Sequence, residues 1–120
     1  MSEKERTTLF IDFEFTMPDR HSRRRGFYPE IIEAGAVLVE NGKVVEQFSS
    51  YVRPQRFPIL TERCRSFLNI TQEQVNSGIT FKALVDKLKS MGGNKNCQIV
   101  TWGNMDMKVL QQNCQQASVG

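Results

Sequence analysis

The run Leu9-Phe10-Ile11-Asp12-Phe13-Glu14-Phe15-Thr16 limits what this chain can fold into more than any other segment. It is apolar and aromatic apart from two acids and a closing threonine, and a stretch of that kind is expected as a buried β-strand. Side chains two apart on a strand share a face. Asp12 and Glu14 therefore stand together with Phe10, while Leu9, Ile11, Phe13 and Phe15 take the other side. Two carboxylates held side by side in a poorly hydrated place raise a pKa or call for a cation. Ligands that are all oxygen suit a hard divalent ion such as Mg²⁺ or Mn²⁺. The plainer reading is a half-exposed strand with an acidic outer face, and a lone D-x-E does not choose between the two.

A chain of 120 residues suffices for one domain with a real core. With 39% hydrophobic and 24% charged residues, the composition is that of a soluble globular protein and not of a disordered one. The charged start Met1-Ser2-Glu3-Lys4-Glu5-Arg6 leads straight into the first strand, and no apolar run approaches membrane-spanning length. A cytoplasmic location with no membrane partner is the expectation. Cys64, Cys97 and Cys114 are odd in number, widely spaced and without a C-x-x-C pair, which argues against a disulfide framework and a zinc site. The net charge of +3 does not by itself announce a nucleic-acid binder. Its distribution says more, because Arg20, Arg23, Arg24 and Arg25, with His21 among them, follow closely on the acidic strand. Such a cluster is either a solvated loop or a contact to a phosphate backbone, with Arg23, Arg24 and Arg25 as its candidates.

The remaining pattern is that of an α/β domain. Ile31 to Val39 and Val44 to Val52 are β-rich and joined through Glu40-Asn41-Gly42-Lys43, where Asn-Gly predicts a two-residue hairpin. With the first strand they form an expected three-stranded meander, ended by Arg53-Pro54 and Phe57-Pro58. Thr61 is placed to cap a short helix, and Thr71-Gln72-Glu73-Gln74 fits a capping box. Thr80 caps a third helix, in which Phe81, Leu84, Val85 and Leu88 recur at helical spacing. Gln98 to Trp102 reads as a short buried strand, Gly103 as a break, and Asp106 to about Gln116 as a helix with Met105, Val109 and Leu110 facing inward. Catalytic groups of α/β sheets gather where strands give way to helices, so Asp106 is a candidate third acidic ligand. An Asp near a helix start also serves simply to satisfy free N–H groups.

Asp12-Phe13-Glu14-Phe15-Thr16, Glu30-Ile31-Ile32-Glu33-Ala34-Gly35-Ala36-Val37, Phe67-Leu68-Asn69-Ile70-Thr71 and Thr101-Trp102-Gly103-Asn104-Met105-Asp106 follow one another in an order that resembles the landmarks of the DnaQ-like (DEDD) 3′-5′ exonucleases. The likeness runs from about Leu9 to Cys114 and is strongest to the branch of Eri-type RNA exonucleases and KapD-type bacterial sporulation-pathway proteins, where D-F-E-x-T and W-G-x-x-D segments are typical. It implies a ribonuclease H-like α/β fold, a mixed sheet made of the antiparallel meander plus a parallel strand and flanked by helices. It also implies two-metal-ion hydrolysis of phosphodiesters at the 3′ end of single-stranded nucleic acid, with RNA favoured by the related branches. On this resemblance Asp12 touches both Mg²⁺ or Mn²⁺ ions, Glu14 holds the ion that activates water, and Asp106 helps hold the other. It further places the backbone around Phe15 and Thr16 against the terminal nucleotide, and apolar groups near Ile70 against its base.

The sequence departs from the family pattern in one respect. The third motif, in which a His or Tyr is followed by the fourth acidic ligand, has no match, since His21 is the only histidine and no Tyr or Asp follows Asp106. The expectation is a single exonuclease-type domain over residues 1–120 that is C-terminally truncated, with its general base and one ligand missing and apolar surface beside the Asp106 helix left for a dimer or protein partner to cover. The alternative is a non-catalytic RNA-binding or regulatory protein on the nuclease fold.

Overall fold

A computed structural model describes residues 6–18, 27–92, 97–101 and 103–117 of the chain, without the side chain of Asn104. Strands β1 (Thr7–Phe15), β2 (Ile31–Glu40) and β3 (Lys43–Tyr51) form the expected antiparallel meander. Three helices follow, α1 (Glu62–Leu68), α2 (Gln72–Asn76) and α3 (Phe81–Gly92), then strand β4 (Cys97–Thr101) and helix α4 (Asn104–Ala117). β4 pairs parallel to β1, giving one mixed sheet in the order β3-β2-β1-β4. The acidic strand is thus interior to the sheet, held by neighbours on both edges.

Local chemistry explains the elements. Asn41 and Gly42 both adopt positive φ, 52° and 82°, as a two-residue hairpin turn of this hand requires. The Thr61 hydroxyl caps α1 by accepting the Cys64 N–H at 3.1 Å. In the capping box of α2, Thr71 Oγ1 accepts the Gln74 N–H at 3.1 Å while Gln74 Oε1 accepts the Thr71 N–H at 2.8 Å. Thr80 Oγ1 accepts from the Ala83 N–H at the start of α3.

The period-two pattern of β1 resolves as predicted: Leu9, Ile11 and Phe13 are buried, Phe10 and Asp12 exposed, and Glu14 in between. The inner face packs with Ala34 and Ala36 of β2 against Phe81, Leu84, Val85, Leu88 and Met91 of α3 and Val109 of α4. A second apolar cluster of Ile32, Leu60, Cys64, Ile70 and Val75 seats α1 and α2. All three cysteines are free thiols. Among the described residues no helix is long and apolar enough to cross a membrane.

Two expectations about the C-terminal elements need correction. β4 is an edge strand, not a buried one, with Ile99 50% and Val100 36% exposed. An apolar run reports affinity for a sheet but not on how many sides neighbours lie. In α4, Met105 is 53% exposed, and the inward face is instead formed by Asp106, Val109 and Asn113. Two polar residues occupy the buried stripe, so hydropathy alone assigns the wrong phase.

Candidate active site

The parallel pairing of β1 with β4 ends at Ile11↔Thr101. Beyond Thr101, whose Oγ1 donates to the Gly103 carbonyl at 3.0 Å, the chain turns through Gly103 into α4. This turn brings Asp106, in the first helical turn, to the part of β1 that β4 no longer covers. A hydrogen bond from the Phe13 backbone reaches the Asp106 carboxylate. Asp106 is only 6% exposed, and its Oδ2 is buried with no hydrogen-bond partner. A buried carboxylate oxygen without a partner costs free energy unless a cation satisfies it. Asp12 is exposed on the open face of the sheet, directly opposite Gly35, whose missing side chain leaves open space. Glu14 lies opposite Glu33, a like-charge cross-strand pair.

The electrostatics link these acids. Burial, and then the charge of Asp12, push the Asp106 pKa above its usual value, against the pull of the Phe13 hydrogen bond. Burial raises Glu14 as well, followed by the charges of Asp12, Glu33 and Asp106. Asp12, Glu14 and Asp106 therefore share one field. Their donor set, all oxygen, with one buried oxygen lacking a partner, fits a hard divalent cation. Among the described residues, however, no three His, Cys, Asp or Glu side chains are gathered closely enough to hold a metal ion as they stand.

A stability prediction follows from the two raised carboxyls. A raised folded pKa contributes stability that is complete below the unfolded carboxyl value, about 4, and is lost as pH rises through the raised folded value. At neutral pH without metal, Asp106 is then a liability. Asp106→Asn is expected to stabilise the chain in EDTA at pH 7 by about 0.5–2 kcal/mol. The gap to the wild type should close as pH falls toward 4. Thermal melts across pH test this, and a variant less stable than the wild type at pH 7 would contradict it.

The exonuclease family model of RNase T type matches residues 9–119, which takes in both acid-bearing elements. The chain belongs to this exonuclease family. Among its relatives is the probable 3′-5′ exonuclease KapD of Bacillus subtilis strain 168, 59% identical over 106 residues that make up 88% of this chain and 52% of that protein. Another is human 3′-5′ exoribonuclease 1, 36% identical over 114 residues, 88% of this chain and 32% of that one. The chain thus spans 52% of the length of the first relative and 32% of the second. The nuclease domain of 3′hExo, a DEDDh family member solved with rAMP bound, superposes with a TM-score of 0.74 at 33% identity, covering 95% of this chain and 60% of that structure. The ribonuclease H-like fold of these exonucleases is the fold of this chain.

The other positions that the family resemblance singled out are less open to a nucleotide. Thr16 is 7% exposed; its N–H donates to the Glu30 carbonyl and its Oγ1 accepts the Glu30 N–H, both at 2.9 Å. Phe15 leans on the main core. Ile70 is 3% exposed, inside the second apolar cluster. His21, Arg23, Arg24 and Arg25 lie outside the described residues, as does Trp102.

Three polar residues of the exonuclease fold were not legible as site groups. Glu33 adds a fourth negative charge beside Glu14. Glu30, 7% exposed, accepts the backbone N–H groups of Gln55, Arg56 and Phe57 at 2.7, 3.0 and 2.9 Å, fixing the loop after β3. Both lie in a segment already noted for its family likeness, but nothing in its spacing indicates these partners. Asn113 of α4 gave no signal at all.

Proposed function

We propose that this chain serves 3′-5′ exonucleolytic hydrolysis of single-stranded nucleic acid, RNA in preference to DNA, with two divalent ions, Mg²⁺ or Mn²⁺, as cofactors. The observation that carries the reading is the buried, unpartnered Oδ2 of Asp106 beside the carboxylates of β1. Family membership, and relatives whose names describe 3′-5′ exonuclease and exoribonuclease activity, support the direction of attack and the preference for RNA.

Asp12, Glu14 and Asp106 would hold the ions. When bound, these supply positive charge at the entering and leaving oxygens of an in-line displacement. Asp12, whose charge acts on both other acids, would be the residue to contact both ions, with Glu14 of β1 and Asp106 of α4 each helping to hold one. Hydrolysis forms a bond from a water oxygen to phosphorus and breaks the bond from phosphorus to the 3′ oxygen, which takes up a proton from the water, and it releases a nucleoside 5′-monophosphate. Arg23, Arg24 and Arg25 are proposed phosphate contacts; the backbone around Phe15 and Thr16 is proposed to meet the terminal nucleotide, and apolar groups near Ile70, itself buried, its base. We read residues 1–120 as a single exonuclease-type domain in the cytoplasm whose third motif is not among them.

The sheet face opposite the core helices carries a groove of about 780 Å³ lined by Phe10, Asp12, Val37, Gln47 and Val100 among others, with Phe10 44% exposed. This groove lies on the sheet and not beside α4, where a protein partner or a second copy of the chain is proposed to cover apolar surface. A second functional reading, a non-catalytic RNA-binding or regulatory protein on the nuclease fold, is supported by the lack of a third-motif match within residues 1–120.

The test is a Mn²⁺-dependent degradation assay on 5′-labelled single-stranded RNA and DNA, with Asp12→Ala as the control. Shortening from the 3′ end that the variant lacks is the expected result. Bound Mn²⁺ without shortening favours the regulatory reading, and a wild-type chain that neither binds Mn²⁺ nor shortens either substrate overturns the metal-based function.

A further inference from the structure

We propose that Asn113 is a positioning residue for Asp106, locking the helix that bears this acid to the strand that bears the other two. The inference rests on the reading of Asp12, Glu14 and Asp106 as one ion-binding group.

Asp106 and Asn113 are seven residues apart, two turns along the same inward face of α4, and both are 6% exposed. An amide at a core-facing helix position is costly unless both of its ends are satisfied. Here both are. Asn113 Oδ1 accepts the Ile31 N–H at 3.0 Å, and its Nδ2 donates to the Pro29 carbonyl at 2.9 Å. The two bonds grip the backbone on either side of Glu30, the residue whose own N–H and C=O are both engaged by Thr16. Ile31 also pairs with Phe15, just past the register irregularity that follows Glu14.

A continuous tie results. It runs from Asp106 down α4 to Asn113, across two hydrogen bonds to Pro29 and Ile31, across two more from Glu30 to Thr16, and back along β1 to Glu14 and Asp12. Among the described residues, the other polar link between the helix and the strand is the hydrogen bond from Phe13 to Asp106 itself. Apolar contact through Val109 fixes the distance of α4 from the sheet but is tolerant of sliding and rotation. The directional amide bonds set where along β1 the Asp106 carboxylate stands. A shift of about 1 Å there is enough to spoil an arrangement of shared ligands.

Asn113→Leu keeps the size, removes both hydrogen bonds and favours helix, so it tests the tie with little penalty to α4. Asn113→Asp retains an acceptor for the Ile31 N–H and loses the donor to Pro29. Two readouts apply to the full chain: Mn²⁺ affinity, followed by the EPR signal of free Mn²⁺, and hydrogen-exchange protection of the Phe13 amide in EDTA. The expected result for Asn113→Leu is a folded protein with Mn²⁺ affinity reduced about tenfold. Phe13 protection should fall by a similar factor while Ile11 is unaffected, and Asn113→Asp should lie between the variant and the wild type.

Wild-type affinity and wild-type Phe13 protection in folded Asn113→Leu would overturn the proposal. So would loss of the fold in both variants, because Asn113 would then act on stability as a whole. A wild-type chain that fails to bind Mn²⁺ refutes the ion-binding reading instead, and Phe13 protection still decides whether Asn113 positions Asp106.

Discussion

Asp12→Ala should abolish Mn²⁺ binding while leaving the chain folded. The side chain is exposed, faces the open side of the sheet and lies opposite a glycine, so its removal opens no cavity. Its negative charge also raises the pKa of both Glu14 and Asp106. Deleting it relieves repulsion in the metal-free state, and the melting temperature in EDTA should hold or rise. The effect on the ion runs the other way. Loss of a residue that merely supports a metal ligand commonly costs about 10–100-fold in affinity, and loss of a residue proposed to ligate the ions directly should exceed that range. Titration of Mn²⁺ alongside a thermal melt separates the two effects. A variant that binds Mn²⁺ as the wild type does would remove Asp12 from the site, and one that unfolds would show that the carboxylate has a structural role.

The parts of this protein that were legible in the sequence are those whose causes are local. The alternation of β1 follows from residues two apart, the hairpin from Asn41-Gly42, and the α2 cap from Thr71 and Gln74, three residues apart. The acids of the candidate site were found because two of them share one strand face and the third begins a helix after a break. What failed to show were relations across the fold. Asn113 meets Ile31 and Pro29 at separations of 82 and 84 residues, and Glu30 grips backbone 25 to 27 residues away. A buried Asn or Glu carries no periodic signature of its own, and in α4 the same buried polar residues displaced Met105 from its expected inward place. The exposure of β4 was hidden for a related reason, since it depends on what lies beyond its free edge.

Gly78→Ala is expected to be among the most damaging single substitutions in the chain, although it adds one methyl group far from the acids in sequence. A Cβ at this position would lie 2.5 Å from both the carbonyl carbon and oxygen of Tyr51 and 2.8 Å from the Val52 nitrogen. These are backbone atoms, so no side chain can rotate out of the way. The backbone at that point is also pinned. Ile79 donates to the Tyr51 carbonyl at 2.9 Å, Arg53 donates to the Ile79 carbonyl at 2.9 Å, and Val52, fully buried, donates to Ile32 at 2.8 Å. Relief of the clash must break the Val52↔Ile79 bridge or push the end of β3 away from β2. Overpacking against movable side chains costs about 1–3 kcal/mol, and contact with fixed backbone should lie at or above the upper end. At roughly 4 °C per kcal/mol for a domain of this size, the melting temperature should fall by about 12 °C or more. The disturbance would reach the candidate site, because Ile32 belongs to the cluster that seats α1, and Thr61 at the head of α1 donates to the Met17 carbonyl at 2.8 Å, just past the acidic strand. Hydrogen exchange should accordingly speed up at Ile79 and Arg53 first. A variant that melts within about 3 °C of the wild type, a cost below 1 kcal/mol on the same scale, would mean that this backbone crossing is far more pliable than its hydrogen bonds imply.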